Sequence, residues 1–199
     1  MQTNWFVRYG RVMATRDPAA TRRRLLDAAV AEFSRAGRAG ARVDRIAQAA
    51  QANKRAIYDY FGDKDALFEA AAAYTIDQIL DAVPFTPDDL PGYVGRLYDF
   101  HTAHPEPIRL ATWRTLERDP ADSLGDLEPY RRFVDVLASR RDADPAVPPA
   151  ELAVVLIALA PAWVLANHEV LAVAGTDEQH VAARREVLVE VVTRIVQPR

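Results

Sequence analysis

Within the nine residues Asn53-Lys54-Arg55-Ala56-Ile57-Tyr58-Asp59-Tyr60-Phe61, two cations, two phenols and one carboxylate are crowded together, and Lys64 follows shortly after. Lysine and arginine donate to phosphate oxygens, arginine also donates to base edges, and phenols donate to either. The chemistry implied is nucleic-acid contact. Helical spacing places Ile57 and Phe61 four residues apart on one face, and directs Lys54, Arg55, Tyr58, Asp59 and Tyr60 outward. An acid such as Asp59 is repelled by phosphate. It either accepts from a cytosine amino group or orients Arg55, and the orienting role is the better reading.

Other chemistries find little footing. No serine elbow, phosphate loop, zinc helix motif or close carboxylate pair is present, so the chain is not read as an enzyme. His101 and His104 lie three apart on a helix, but no third ligand accompanies them, and no metal or other cofactor is expected. The chain has no cysteine, which excludes disulfides and thiolate metal sites and fits a reducing, cytoplasmic setting.

The elements that must hold these residues are helices, since no stretch shows sustained strand alternation. A first helix is predicted from about Ala19 to Ala36, with Leu25, Leu26, Ala29, Val30 and Phe33 on its apolar stripe and Gly37 as the residue beyond its end. A short second helix fits Val43–Ala50, Gln51-Ala52 turn the chain, and Asn53 caps a third helix from Lys54 to about Tyr60. Asp63 caps a fourth, from Lys64 to about Val83. Further helices are predicted from Asp88 or Asp89 to the His104-Pro105-Glu106-Pro107 break, over Ile108–Arg118, Leu127–Arg140, Ala150–Ala174 and Asp177–Val196. The total is about nine. A loop is expected over DPADSLGD and a proline-rich link over Asp144–Pro149.

The net charge of −3 conceals an asymmetry. Residues 1–62 hold 12 Lys/Arg against 5 Asp/Glu, or +7, whereas residues 63–199 hold 13 against 23, or −10. Nucleic acid is therefore expected at one end only. The longest apolar run, Leu152–Ala166, has 15 residues and contains Pro161, short of the roughly 20 a membrane span needs, so no membrane association is expected.

The run TRRRLLDAAVAEFSRAGRAGARVDRIAQAAQANKRAIYDYFGDKDALFEAAAAY resembles the N-terminal domain of the tetracycline-repressor (TetR) family. The matching elements are the LLDAAxxxF first helix, the glycine after it, the V-x-x-I-A second helix and the IYxYFGDKDALF block. The resemblance implies an all-α protein with an N-terminal helix-turn-helix and a C-terminal helical domain for ligand sensing and dimerisation. It implies that Tyr58 and Lys64 hold phosphates and that Lys54 and its neighbours face the groove. The expected contact set is Arg42, Val43, Arg45, Asn53, Lys54, Arg55, Ala56, Tyr58, Asp59, Tyr60 and Lys64. Two positions depart from the family pattern. Gln51-Ala52 replace Gly-Val in the turn, at a cost of about 1 kcal/mol for a left-handed glutamine. Ala41-Arg42 replace the Ser or Thr that opens the second helix, so Arg42 either supplies that phosphate contact or is an ordinary solvated arginine.

The expected organisation is an arm over residues 1–14, which is either a basic arm or a product of start choice with Met13 as the true start. A DNA-binding domain follows over 15–62, with the motif at about 42–61 and the fourth helix supporting it to about 78. A sensing and dimerisation domain occupies 63–199. A ligand pocket is expected from Tyr93, Phe100, His101, His104, Trp113, Leu116, Trp163 and Asn167. A dimer interface is expected from Leu165, Val181, Leu188, Val191, Val192 and Ile195. The function implied is a homodimeric regulator, by default a repressor, that binds palindromic operator DNA and is released by a small molecule. The alternative is a sequence-independent DNA binder without ligand response.

Overall fold

The computed structural model describes residues 17–117, 127–140 and 146–196. The arm over 1–14, the DPADSLGD loop and the start of the proline-rich link lie outside them. The described residues form eleven helices and no strand.

Helix α1 (Pro18–Gly40) begins where Asp17 accepts from the Ala19 amide at 2.9 Å, with Pro18 in the first turn. A proline there gives up an amide that has no helical partner anyway. Its stripe is buried as predicted: Leu25, Ala29 and Phe33 are fully enclosed. Gly37 leaves the helical region at φ 66°, ψ 176°, and a further turn carries the chain to Gly40. Helix α2 (Val43–Ala49), α3 (Lys54–Phe61) and the first half of α4 (Lys64–Ala82) close a first core on α1. Phe33 meets Phe68 edge-on at 5.0 Å between ring centres, with Ile46, Ile57 and Leu67 around them.

Helix α5 (Leu90–Ala103), α6 (Glu106–Glu117) and α7 (Glu128–Ala138) follow. Asp89 caps α5 through the Gly92 amide at 2.9 Å. A second core joins α5, α7, α8 (Pro149–Leu159) and α11 (Glu178–Val196) around Leu90, Val94, Leu97, Leu137, Leu156 and Leu188. α6 belongs elsewhere: its Leu110 is wholly buried in the first core, and Trp113 packs beside it.

The long helix predicted over Ala150–Ala174 is three: α8, a single turn α9 (Ala162–Leu165) and α10 (His168–Ala174). Pro161 has no amide to continue α8, and its ring excludes the carbonyl four residues back. Asn167 then turns extended and caps α10 through the Glu169 and Val170 amides. This division accounts for the two helices beyond the expected nine.

Candidate nucleic-acid interface

The turn between α2 and α3 is built by hydrogen bonds local to the sequence. The Gln51 amide donates to the Gln48 carbonyl at 3.1 Å, and the Ala52 amide to the Ala47 carbonyl at 2.9 Å. This paired closure of a helix end requires a left-handed residue between them. Gln51 occupies it at φ 52°, the sole non-glycine residue with positive φ among the described residues. The Arg24 guanidinium reaches over from α1 to donate to the Ala50 carbonyl at 3.2 Å, satisfying another group at the same end. Asn53 restarts the chain as a helix by accepting from the Ala56 amide at 2.8 Å.

On this frame α3 is sharply two-sided. Ile57 is fully buried, and Phe61 is half-buried under the Arg22 guanidinium at 5.3 Å. Lys54, Arg55, Tyr58, Asp59 and Tyr60 are exposed together on the outer face. Two exposed tyrosines within one turn are hard to explain as core residues and suit a polar surface that a partner covers. Asp59 sits 3.7 Å from the Arg55 Nε, in keeping with the orienting role. Lys54 is held by Asp44 of α2 at 3.0 Å, and that hydrogen bond raises its pKa above the ordinary lysine value. Asp44 was not legible as a functional residue, because nothing local to α2 says that Lys54 returns to it.

Glu32 is the second residue that sequence reasoning passed over. Burial works to raise its pKa, but hydrogen bonds from Arg35 at 2.7 Å and the Arg42 amide at 3.0 Å, with the charges of Arg35 and Arg45, outweigh it and hold it low. This buried carboxylate pins the start of α2 to α1. Arg45 leans on Glu32 at 3.4 Å and stays half-exposed, while the Arg42 side chain is exposed with no ion pair among the described residues. Val43 and Ala56, expected among the contacts, pack against the first core instead, and Asn53 is occupied as the cap. Lys64, at the start of α4, donates to the Ala39 carbonyl at 3.3 Å. It therefore stands beside the end of α1, within the same block as α3.

The C-terminal half contains a cavity of about 950 Å³ between α4, α5, α6, α7 and α8. Of the residues expected to line it, Tyr93 and His101 do. The others are placed elsewhere for identifiable reasons. Trp113 turns to α1, where its indole donates to the Ser34 carbonyl at 3.3 Å. Leu116 is 72% exposed, Trp163 packs edge-on against Tyr98, His104 lies on Phe100, and Asn167 caps α10. The cavity walls come largely from Thr75, Ile76 and Ile79 of α4, Ile108 and Ala111 of α6, and Phe133 of α7.

The expected dimer stripe also divides. Leu188 and Val192 face α5 and are buried in the chain's own core, Ile195 packs against that core, and the Val181 carbonyl accepts from the Tyr98 hydroxyl at 3.3 Å. Val191 and Leu165 remain exposed, together with Val187, Val154, Val170 and Val173. A period of 3.6 marks an apolar face without saying whether the chain's own core or a second chain covers it.

A buried helix-turn-helix core with an exposed basic and aromatic α3, joined to an all-helical domain with a large cavity, defines a DNA-binding regulator. The comparisons agree. Residues 25–71 match the family model for bacterial regulatory proteins of the tetR family, and residues 89–194 match the tetracyclin repressor-like C-terminal domain. The chain belongs to the TetR family. It is 42% identical over 154 residues to the HTH-type transcriptional repressor SCO4008 of Streptomyces coelicolor, covering 74% of this chain and 80% of that one. It is 30% identical over 105 residues to the HTH-type transcriptional repressor NicS of Pseudomonas putida, about half of each chain. The solved structure of SCO4942 from Streptomyces coelicolor superposes with a TM-score of 0.77 at 36% identity, covering 89% of this chain and 99% of that one.

Proposed function

We propose that the chain is a cytoplasmic repressor that binds a palindromic operator as a homodimer and leaves it when a small molecule fills the cavity between α4 and α8. One observation carries the ligand-responsive part: α6 is shared between the cavity and the DNA-binding half. Ile108, Ala111 and Thr115 line the cavity, while Leu110, Trp113 and Glu117 hold α1. The Glu117 carboxylate accepts from the Arg38 amide at 3.0 Å, and the Arg38 guanidinium donates to the Glu117 carbonyl at 3.1 Å. A ligand that favours one position of α6 therefore favours one position of α1 and the motif packed on it, which is the condition for coupling between two sites. Dimerisation is supported by the uncovered apolar side chains of α8 to α11, of which Val173 is 92% exposed.

Contact with DNA falls to the outer face of α3, with Arg55 as the base reader, and Tyr58, Lys64 and Arg42 on phosphates. Both relatives, SCO4008 and NicS, are transcriptional repressors, which supports repression as the sense of regulation. Selection of bound duplexes from a random library tests the reading. An inverted repeat whose binding one small molecule abolishes supports it, and enrichment of no sequence at all would refute it.

A further inference from the structure

The cavity's chemistry narrows the kind of molecule that fills it. Its walls are mostly aliphatic, with an aromatic corner where Phe85 meets Tyr93 at 4.9 Å and Phe133 at 4.5 Å between ring centres. The charged side chains that reach the lining already have counter-charges: Arg114 is 2.8 Å from Glu69 of α4, and Arg132 is 3.9 Å from Glu128. An ionic guest would lose its hydration without meeting an unpaired opposite charge, an unfavourable exchange. A volume near 950 Å³ admits several fused rings.

His101 in this lining is only 6% exposed, and neither of its ring nitrogens has a hydrogen-bond partner among the described residues. Nδ1 is sealed off, which leaves Nε2 as the nitrogen open to a guest. Burial pushes the imidazole pKa down to about 4, so the ring is neutral at physiological pH. Buried polar atoms are normally bonded, and an exception calls for a missing partner. A neutral imidazole offers one donor and one acceptor, and a hydroxyl can satisfy whichever nitrogen it meets, since it is itself both. A carboxylate could accept only from the N–H tautomer, and it would bring its charge into a lining whose cations are already paired.

We propose that the cavity takes an uncharged, largely apolar multi-ring alcohol or phenol whose hydroxyl hydrogen-bonds the His101 imidazole. This rests on the ligand-release reading above and assigns its effector class and its polar anchor.

The test uses four fluorescent probes that share one ring system: pyrenylmethanol, methylpyrene, pyrenecarboxylate and pyrenylmethylammonium. Each is titrated into the full chain at neutral pH, alone and bound to an operator duplex selected by the protein itself. The alcohol is expected to bind about three- to tenfold tighter than methylpyrene, the span of one net hydrogen bond, and both to bind tighter than either ion. His101→Phe is expected to erase the advantage of the alcohol while leaving methylpyrene within about twofold. His101→Gln, which keeps a donor and an acceptor, is expected to retain most of it.

Tightest binding by either ion, failure of all four to bind, or survival of the alcohol's advantage in His101→Phe would overturn the proposal. Should His101→Phe fail to fold, the probe ranking on the unaltered chain and the His101→Gln titration still decide it. Release of the duplex is read in the same titrations. An alcohol that binds without releasing DNA refutes the ligand-release reading and leaves the assigned class standing. Release by a charged probe alone does the reverse.

Discussion

Replacement of Gly37 by alanine probes the junction through which the cavity is expected to act on the DNA-binding half. Gly37 sits at φ 66°, ψ 176°, a region open almost only to glycine, and forcing another residue there costs about 1–3 kcal/mol. A β-carbon would also lie 2.5 Å from the Glu117 Oε1 and 3.0 Å from the Trp113 Cε3. Relief requires Glu117 to give up the Arg38 amide, a hydrogen bond to a charged group worth about 1.5–3 kcal/mol, and Trp113 to move off the Ser34 carbonyl. The two contributions overlap, because a backbone that relaxes also moves the methyl. A loss of about 3 kcal/mol is expected for Gly37→Ala, or roughly 6–12 °C in Tm for a chain of this size. Gly40→Ala is the control, since its methyl would meet only the Ala36 β-carbon, at 3.5 Å. Urea unfolding of both variants reads the difference. A Gly37→Ala variant within about 0.5 kcal/mol of the unaltered chain would refute the close junction between α1 and α6.

Other perturbations address the remaining parts. Lys64→Ala should weaken binding to all duplexes and flatten the slope of log affinity against log salt by about one, measured by fluorescence anisotropy. Asp44→Asn, which releases Lys54 from its ion pair, should raise affinity for random duplex DNA at low salt; a fall would show that Asp44 instead positions Lys54 for contact. Below pH 6.5 the unfolded chain takes up a proton on His101 that the folded chain refuses until about pH 4, so stability should fall as pH drops through that window. The contribution is about 3 kcal/mol, and denaturant titrations should show it missing in His101→Phe. Val173→Asp should shift the sedimenting species from dimer to monomer while leaving the helical circular dichroism unchanged.

The helix-turn-helix was legible because its determinants are local. Asn53 and Asp63 cap at fixed distances along the chain, Gly37 and Gly62 mark ends, and the left-handed position fell to Gln51 as the turn pattern required. The cavity was not legible, since its walls are set by which side of each helix meets which neighbour. Trp113 looked like a pocket residue in sequence, yet the space left by the missing side chain of Gly37 draws it to α1. Likewise Leu188 and Val192 carried the right period for an interface, but α5 was there to cover them. The breaks at Pro161 and Asn167 were visible as residues and hidden by an apolar run that reads as one helix. Glu32 and Asp44 act through partners ten residues away, beyond any local pattern.

The most direct test of α3 as the reading element uses the absence of cysteine from the sequence. A single cysteine at exposed position 59, Asp59→Cys, carries an iron chelate that cleaves DNA near it. On the selected operator two clusters of cleavage are expected, related by the dyad and separated by about one helical turn or a multiple of it. A single cluster, or cleavage spread evenly along the duplex, would contradict that role for α3.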